Sequence, residues 1–251
     1  MSGTAQPAPG APTDVLSLTG YALTNRWNAS VPLGTSVVVT YSFGAAPAAY
    51  DPFARPGFTA FSPAQQAAAR QAMRSWDATS GIVLVEVPDS MGGQIRFGMV
   101  DMSAQADEFG RQVLGFAFYP SVPGFPSVPI VGAPSPFPRP GEGLAGDVFL
   151  NAGYASNEAS LEPGRTGYAV LLHEIGHALG LKHPFEGAPT IDPLRNDGSS
   201  TVMSYGLPPG TIAPGPLDVA AMQLYYGAAD ITTSLDPARG VVSRAGTALG
   251  D

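Results

Sequence analysis

The chain contains no cysteine in 251 residues, which excludes disulfides, thiol catalysis and thiolate metal sites. Charge is scarce as well. Asp, Glu, Lys and Arg make up 13% of the residues, about half the usual share. The balance is acidic, with 20 Asp and Glu against 12 Lys and Arg and a net charge of −8. No basic run occurs, so nucleic acid and anionic membranes are poor partners. No apolar run reaches eighteen residues, so no segment is expected to span a bilayer. Residues 1–14 have neither the positive start nor the apolar core of a signal peptide and read as a flexible leader. No internal repeat is visible.

Glycine and proline are plentiful, 31 and 26 residues, without the three-residue period of collagen. The length fits one large domain, expected over residues 15–230, with a tail over 231–251. Within it the β-branched and aromatic run Val37–Phe43 predicts a strand. Ser62 and Pro63 supply an N-cap and a first helical residue for a helix from Ala64 to about Thr79. Further strands are expected over Ile82–Val87, Gln94–Met99, Val113–Tyr119 and Asp147–Asn151. Helices are expected from Thr166 to Leu179 and from Leu217 to Tyr226, each followed by glycine. This order is an α+β or mixed-sheet pattern. Between the fourth and fifth strands lies Pro120–Gly143, too rich in proline for helix or central strand and long enough to suggest a functional loop bordering a cleft.

The chain has only three histidines, and all fall within His173-Glu174-Ile175-Gly176-His177-Ala178-Leu179-Gly180-Leu181-Lys182-His183. On a helix, His173 and His177 lie one above the other on the same face. Both imidazoles then reach one Zn²⁺, with Glu174 beside a metal-held water but not itself a ligand. Gly180 allows a sharp turn at the helix end, returning His183 as a third ligand. Pro184 forbids helix continuation beyond it. Three protein ligands leave a fourth position open, as in catalytic zinc sites.

The pattern H-E-x-x-H-x-x-G-x-x-H, with Thr201-Val202-Met203-Ser204-Tyr205 downstream, resembles the metzincin metalloproteases. Pro184 and the Met-Ser-Tyr turn are similar to the serralysins, the secreted bacterial zinc endopeptidases. Astacins share the turn tyrosine but differ after the third histidine, and matrixins usually lack the tyrosine. Leu217–Gly227 resembles the C-terminal helix of the serralysins, Val38–Phe43 their first strand and Gly146–Asn151 their edge strand.

The resemblance implies an α+β metzincin-like protease domain with a twisted mixed sheet, an active-site helix and a C-terminal helix. It implies Zn²⁺ held by His173, His177 and His183, and by Tyr205 in the resting state. Glu174 is then the general base on a zinc-bound water, and Tyr205 assists the oxyanion. Met203 is implied as an apolar floor beneath the zinc histidines. Peptide or protein substrates need an extended strand beside the metal, for which Asp147, Val148, Phe149, Leu150 and Asn151 are the candidates. The resemblance also implies a secreted, extracellular protein, expected to act as a monomer. Serralysins usually carry a C-terminal roll of calcium-binding glycine-rich repeats. Nothing here matches it, and no paired acidic and glycine-rich loop is present, so calcium is not expected to be required. The alternative from another class is a catalytically silent zinc domain that binds a protein partner.

Overall fold

The computed structural model describes residues 12–120 and 143–246, apart from 21, 52, 54, 108–109, 156–157, 230 and 237–240. Helix α1 (Thr13–Thr19) opens the described chain, within and beyond the stretch expected as leader. It buries Val15, Leu16 and Leu18. Residues 1–11 of the expected leader, and the proline-rich stretch except for its two ends, lie outside the described residues.

Strand β1 (Val37–Phe43) leads into α2 (Pro63–Asp77) and then β2 (Ile82–Glu86), a crossover that sets β2 parallel to β1. The start of α2 is closed by a capping box. Ser62 Oγ accepts from Gln65 N at 3.3 Å, and Gln65 Oε1 accepts from Ser62 N at 2.7 Å. Strand β3 (Ile95–Val100) follows, then the short β4 (Gly115–Ala117) and β5 (Val148–Asn151). The sheet order is β2-β1-β3-β5-β4, with every neighbour parallel except the antiparallel pair β4–β5. The fold class is thus the expected mixed one, built on a mainly parallel sheet.

One expectation is corrected by this order. β5, which includes Val148–Asn151, is not an edge strand but sits between β3 and β4, and Asp147 through Asn151 are all buried. β3 and β4 pair along its two sides, and Val-Phe-Leu is apolar on both faces because clusters cover the sheet on each. Among the described residues, the outermost strand on that side of the sheet is β4. The expected strand Val113–Tyr119 forms a three-residue ladder, extended by single bonds from Asn151 N to Leu114 O and from Phe118 N to Asp147 O.

After β5 come the short helix α3 (Ala152–Ala155) and the central helix α4 (Thr166–Ala178), buried around most of its circumference. A helix apolar all round belongs in a core, and α4 packs with α2 against one face of the sheet. Trp76 of α2, fully buried, donates from Nε1 to Leu172 O at 3.1 Å and locks the two helices together. The other face of the sheet carries a smaller cluster of Val100, Met102 and Phe149.

Helix α5 (Pro216–Tyr226) packs against α1 and ends in two buried tyrosines. Tyr226 OH donates to Leu179 O at 2.8 Å, and Trp27 Nε1 to Ala178 O at 2.9 Å. Carbonyls left without helical partners at the end of α4 are therefore satisfied from distant elements. The backbone of β6 (Ile231–Asp236) and β7 (Val241–Gly246) forms an antiparallel pair within the expected tail. Among the described residues no helix is long and apolar enough to cross a membrane.

Candidate active site

Helix α4 presents His173 and His177 on one face, one turn apart. The chain then reverses through Gly180, which has φ of +108°, and Leu181 N bonds back to Gly176 O at 2.9 Å. Only glycine fits there, because a Cβ would overlap the carbonyl oxygen of Asn25. This reversal returns His183. Its Nε2 lies 3.0 Å from His173 Nε2 and 3.1 Å from His177 Nε2.

The opposite ring nitrogens fix the tautomers. His173 Nδ1 lies 2.7 Å from Val202 O, and His177 Nδ1 lies 2.7 Å from Leu181 O. A carbonyl only accepts, so both Nδ1 atoms carry the hydrogen and both Nε2 lone pairs face inward. His183 Nδ1 lies 2.7 Å from Glu186 Oε1, although not in hydrogen-bond alignment. Burial, reinforced by neighbouring histidines, pushes the pKa of His173 down to about 3 and that of His177 well below its usual value. Both imidazoles are therefore neutral at pH 7. Lone pairs converging at this distance repel unless a cation lies between them. Three nitrogens at 2.0–2.1 Å from a tetrahedral Zn²⁺ stand roughly 3.3 Å apart, so the donor set fits that ion.

Glu174 is buried, and its side chain packs against the Gly115 backbone in β4. Burial alone pushes its carboxyl up to about 8. Met203 is fully buried beneath α4. A Cβ on Gly176 would overlap its sulfur, so the glycine between the two helical histidines is what admits the methionine. Pro184 is buried, and its carbonyl accepts from Ile191 N at 2.8 Å, tying down the chain beyond His183. Tyr205 is exposed at the cleft. Its ring centroid is 4.8 Å from that of His183 and 6.1 Å from that of His173.

The remaining candidates lie elsewhere. Asp147 accepts from Tyr50 OH at 2.8 Å and from Arg96 N at 3.1 Å, an internal staple away from the cleft. Asn151 Nδ2 donates to Val113 O at 2.8 Å. Val148, Phe149, Leu150 and Asn151 therefore support β4 from behind, and the cleft wall is β4 itself. The cleft encloses about 670 Å³ between Leu114 and Phe116 on one side and Val170, Leu207 and Pro208 on the other.

Several contributors escaped the sequence reading. Asp218 at the start of α5 is fully buried. It accepts from Thr201 Oγ1 at 2.5 Å, Val202 N at 2.8 Å and Gly215 N at 2.7 Å. It thereby holds the backbone N–H of Val202, the residue whose carbonyl receives His173 Nδ1–H. An acidic residue in the first turn of a helix was its only signal, and that reads first as a cap. Phe185 stacks on the His183 ring at 5.1 Å and 7°, and Tyr119 meets the His177 ring edge-on at 5.5 Å.

No family model matches the chain. Curated relatives do. Serralysin G of Dickeya chrysanthemi is 28% identical over 236 residues, covering 88% of this chain and 45% of the relative. Serralysin A of the same organism is 31% identical over 229 residues, 85% of this chain and 43% of the relative. The metallopeptidase AprA of Pseudomonas marginalis is 30% identical over 213 residues, 76% and 39%. The chain thus spans less than half the length of these relatives. Its mixed sheet, its central helix and the three-histidine cluster are compatible with a metzincin-type domain. Within that class it is a serralysin-like metzincin.

Proposed function

We propose that this chain is a secreted zinc endopeptidase domain that hydrolyses peptide bonds in proteins. The convergence of three Nε2 atoms, that of His183 lying 3.0 and 3.1 Å from those of His173 and His177, with the Nδ1 hydrogens of the latter two anchored on carbonyls, carries this reading. When bound, zinc supplies Lewis acidity and brings the pKa of a coordinated water near 7.

The chain's own residues do the rest. Glu174 is the general base that removes a proton from the attacking water and then delivers it to the leaving amine. Its buried position against Gly115 holds the carboxyl in the wall of the cleft that the three histidines also line. Tyr205, beside His183, serves as a fourth ligand at rest and donates a hydrogen bond to the developing oxyanion. Strand β4, outermost among the described residues, offers its edge to an extended substrate, which pairs with it as an added strand. The apolar lining beyond it, Val170, Leu207 and Pro208, accepts side chains next to the scissile bond.

The test joins metal analysis to cleavage. Protein stripped by a chelator should lose peptide hydrolysis and regain it with one equivalent of zinc. Full activity in metal-free protein, verified by elemental analysis, refutes the proposal. Stoichiometric zinc without cleavage of any denatured protein substrate would instead favour a silent binding domain.

A further inference from the structure

Tyr205 is held from both walls of the cleft. From its own side come His183, at 4.8 Å between ring centroids, and Phe185, at 4.9 Å. From the opposite wall comes Arg111, on the turn that leads into β4. Its guanidinium carbon lies 4.7 Å from the Tyr205 ring centroid, within cation–π range.

Arg111 is presented rather than merely nearby. Asp107 Oδ2 accepts from Arg111 Nε at 2.8 Å and lies 2.7 Å from its Nη2. Asp107 Oδ1 accepts from the Arg111 backbone N at 2.8 Å, and Asp107 N donates to Arg111 O at 2.8 Å. An isolated bridge between Ala106 and Gln112 closes the turn. Both partners line the cleft. A small hydrogen-bonded turn thus aims one planar cation at one ring across the substrate channel. Arginine suits this task better than lysine, because its flat guanidinium stacks while its edge stays bonded to the carboxylate.

We propose that Arg111 is a positioning residue for Tyr205, holding the ring beside His183 so that the phenol addresses the reacting carbonyl. The proposal rests on the reading of Tyr205 as the group that assists the oxyanion. A cation on the ring face also draws density from the phenol and makes its O–H a better hydrogen-bond donor. Both effects act on turnover rather than on capture of substrate.

The experiment is steady-state kinetics on a short peptide with zinc-loaded wild type, Arg111→Ala, Arg111→Lys, Tyr205→Phe and the Arg111→Ala/Tyr205→Phe double variant. Zinc content is measured in each by elemental analysis. Arg111→Ala should lower kcat roughly 3- to 10-fold, the range of a partly exposed cation–π contact, with KM within about twofold and zinc unchanged. Arg111→Lys should recover only part of the loss. In the Tyr205→Phe background, where the phenol is gone, removing Arg111 should change kcat by less than about twofold. An equal loss in both backgrounds, loss of zinc, or a change confined to KM overturns the proposal while leaving the reading of Tyr205 intact. An unchanged kcat in Tyr205→Phe alone overturns that reading and this proposal with it. If Arg111→Ala does not fold, Arg111→Gln carries the same comparison, since it keeps length and removes the charge.

Discussion

Gly180→Ala should damage both the fold and the metal centre, and the structure sets the size of the effect. At φ of +108° an L-residue costs about 1–2 kcal/mol in backbone strain. The added Cβ also overlaps the Asn25 carbonyl oxygen and lies 3.2 Å from Tyr225 Cε2. The first neighbour is backbone and cannot rotate away. Overpacking of this kind costs about 1–3 kcal/mol. Together these give about 2–5 kcal/mol, or a fall in Tm of roughly 4–20 °C for a chain of this size. The strain is transmitted to His183, three residues on, so zinc affinity should fall by about 10- to 100-fold, as when a supporting shell is disturbed. The assays are thermal melting of the metal-free protein and zinc competition against a chelator. Gly180→Val should be worse on both counts, because branching at Cβ resists positive φ. A Tm within about 1 °C of wild type, together with unchanged zinc affinity, would refute the turn as the device that returns the third histidine.

Glu174→Gln should keep zinc and lose roughly 10²-fold or more in kcat; loss of zinc would make Glu174 a ligand. Burial holds the Glu174 carboxyl up to about 8, so in metal-stripped protein its contribution to stability is full below about pH 4.5 and lost as pH rises through about 8. Metal-stripped Glu174→Gln should therefore match wild type near pH 5 and exceed it near pH 9 by a few kcal/mol, and parallel melting profiles across that span would count against the buried carboxyl. Met203→Ala should cost about 2–5 kcal/mol in denaturant unfolding and Met203→Leu less than about 1.5, because the first leaves a cavity under α4; equal losses would mean the side chain's volume is not what matters. Cleavage of a short peptide by the zinc-loaded protein should change by less than about twofold on adding a calcium-selective chelator, and strict calcium dependence would overturn that expectation.

The sequence by itself determined the local geometry of the histidine cluster. Ligand spacing on a helix follows from the 3.6-residue repeat, so His173 and His177 declare their common face, with Glu174 adjacent to it, without a structure. Gly180 and Pro184 declare the turn for a similarly local reason, since each restricts its own backbone. Val37–Phe43 and the capped helix at Ser62-Pro63 were equally legible, being written in local propensity and capping. Strand order was not. Asp147–Asn151 was recognisable as a strand, but whether it lies at an edge depends on which strand pairs beside it. Only the assembled sheet places β4 outside it. The same limit hid Asp218, which acts through Val202, sixteen residues upstream, and Arg111, which meets Tyr205 across a channel formed by two separate parts of the chain. Local periodicity encodes which side chains share a face, whereas long-range packing decides which faces meet, and the walls of this cleft belong to the second kind of information.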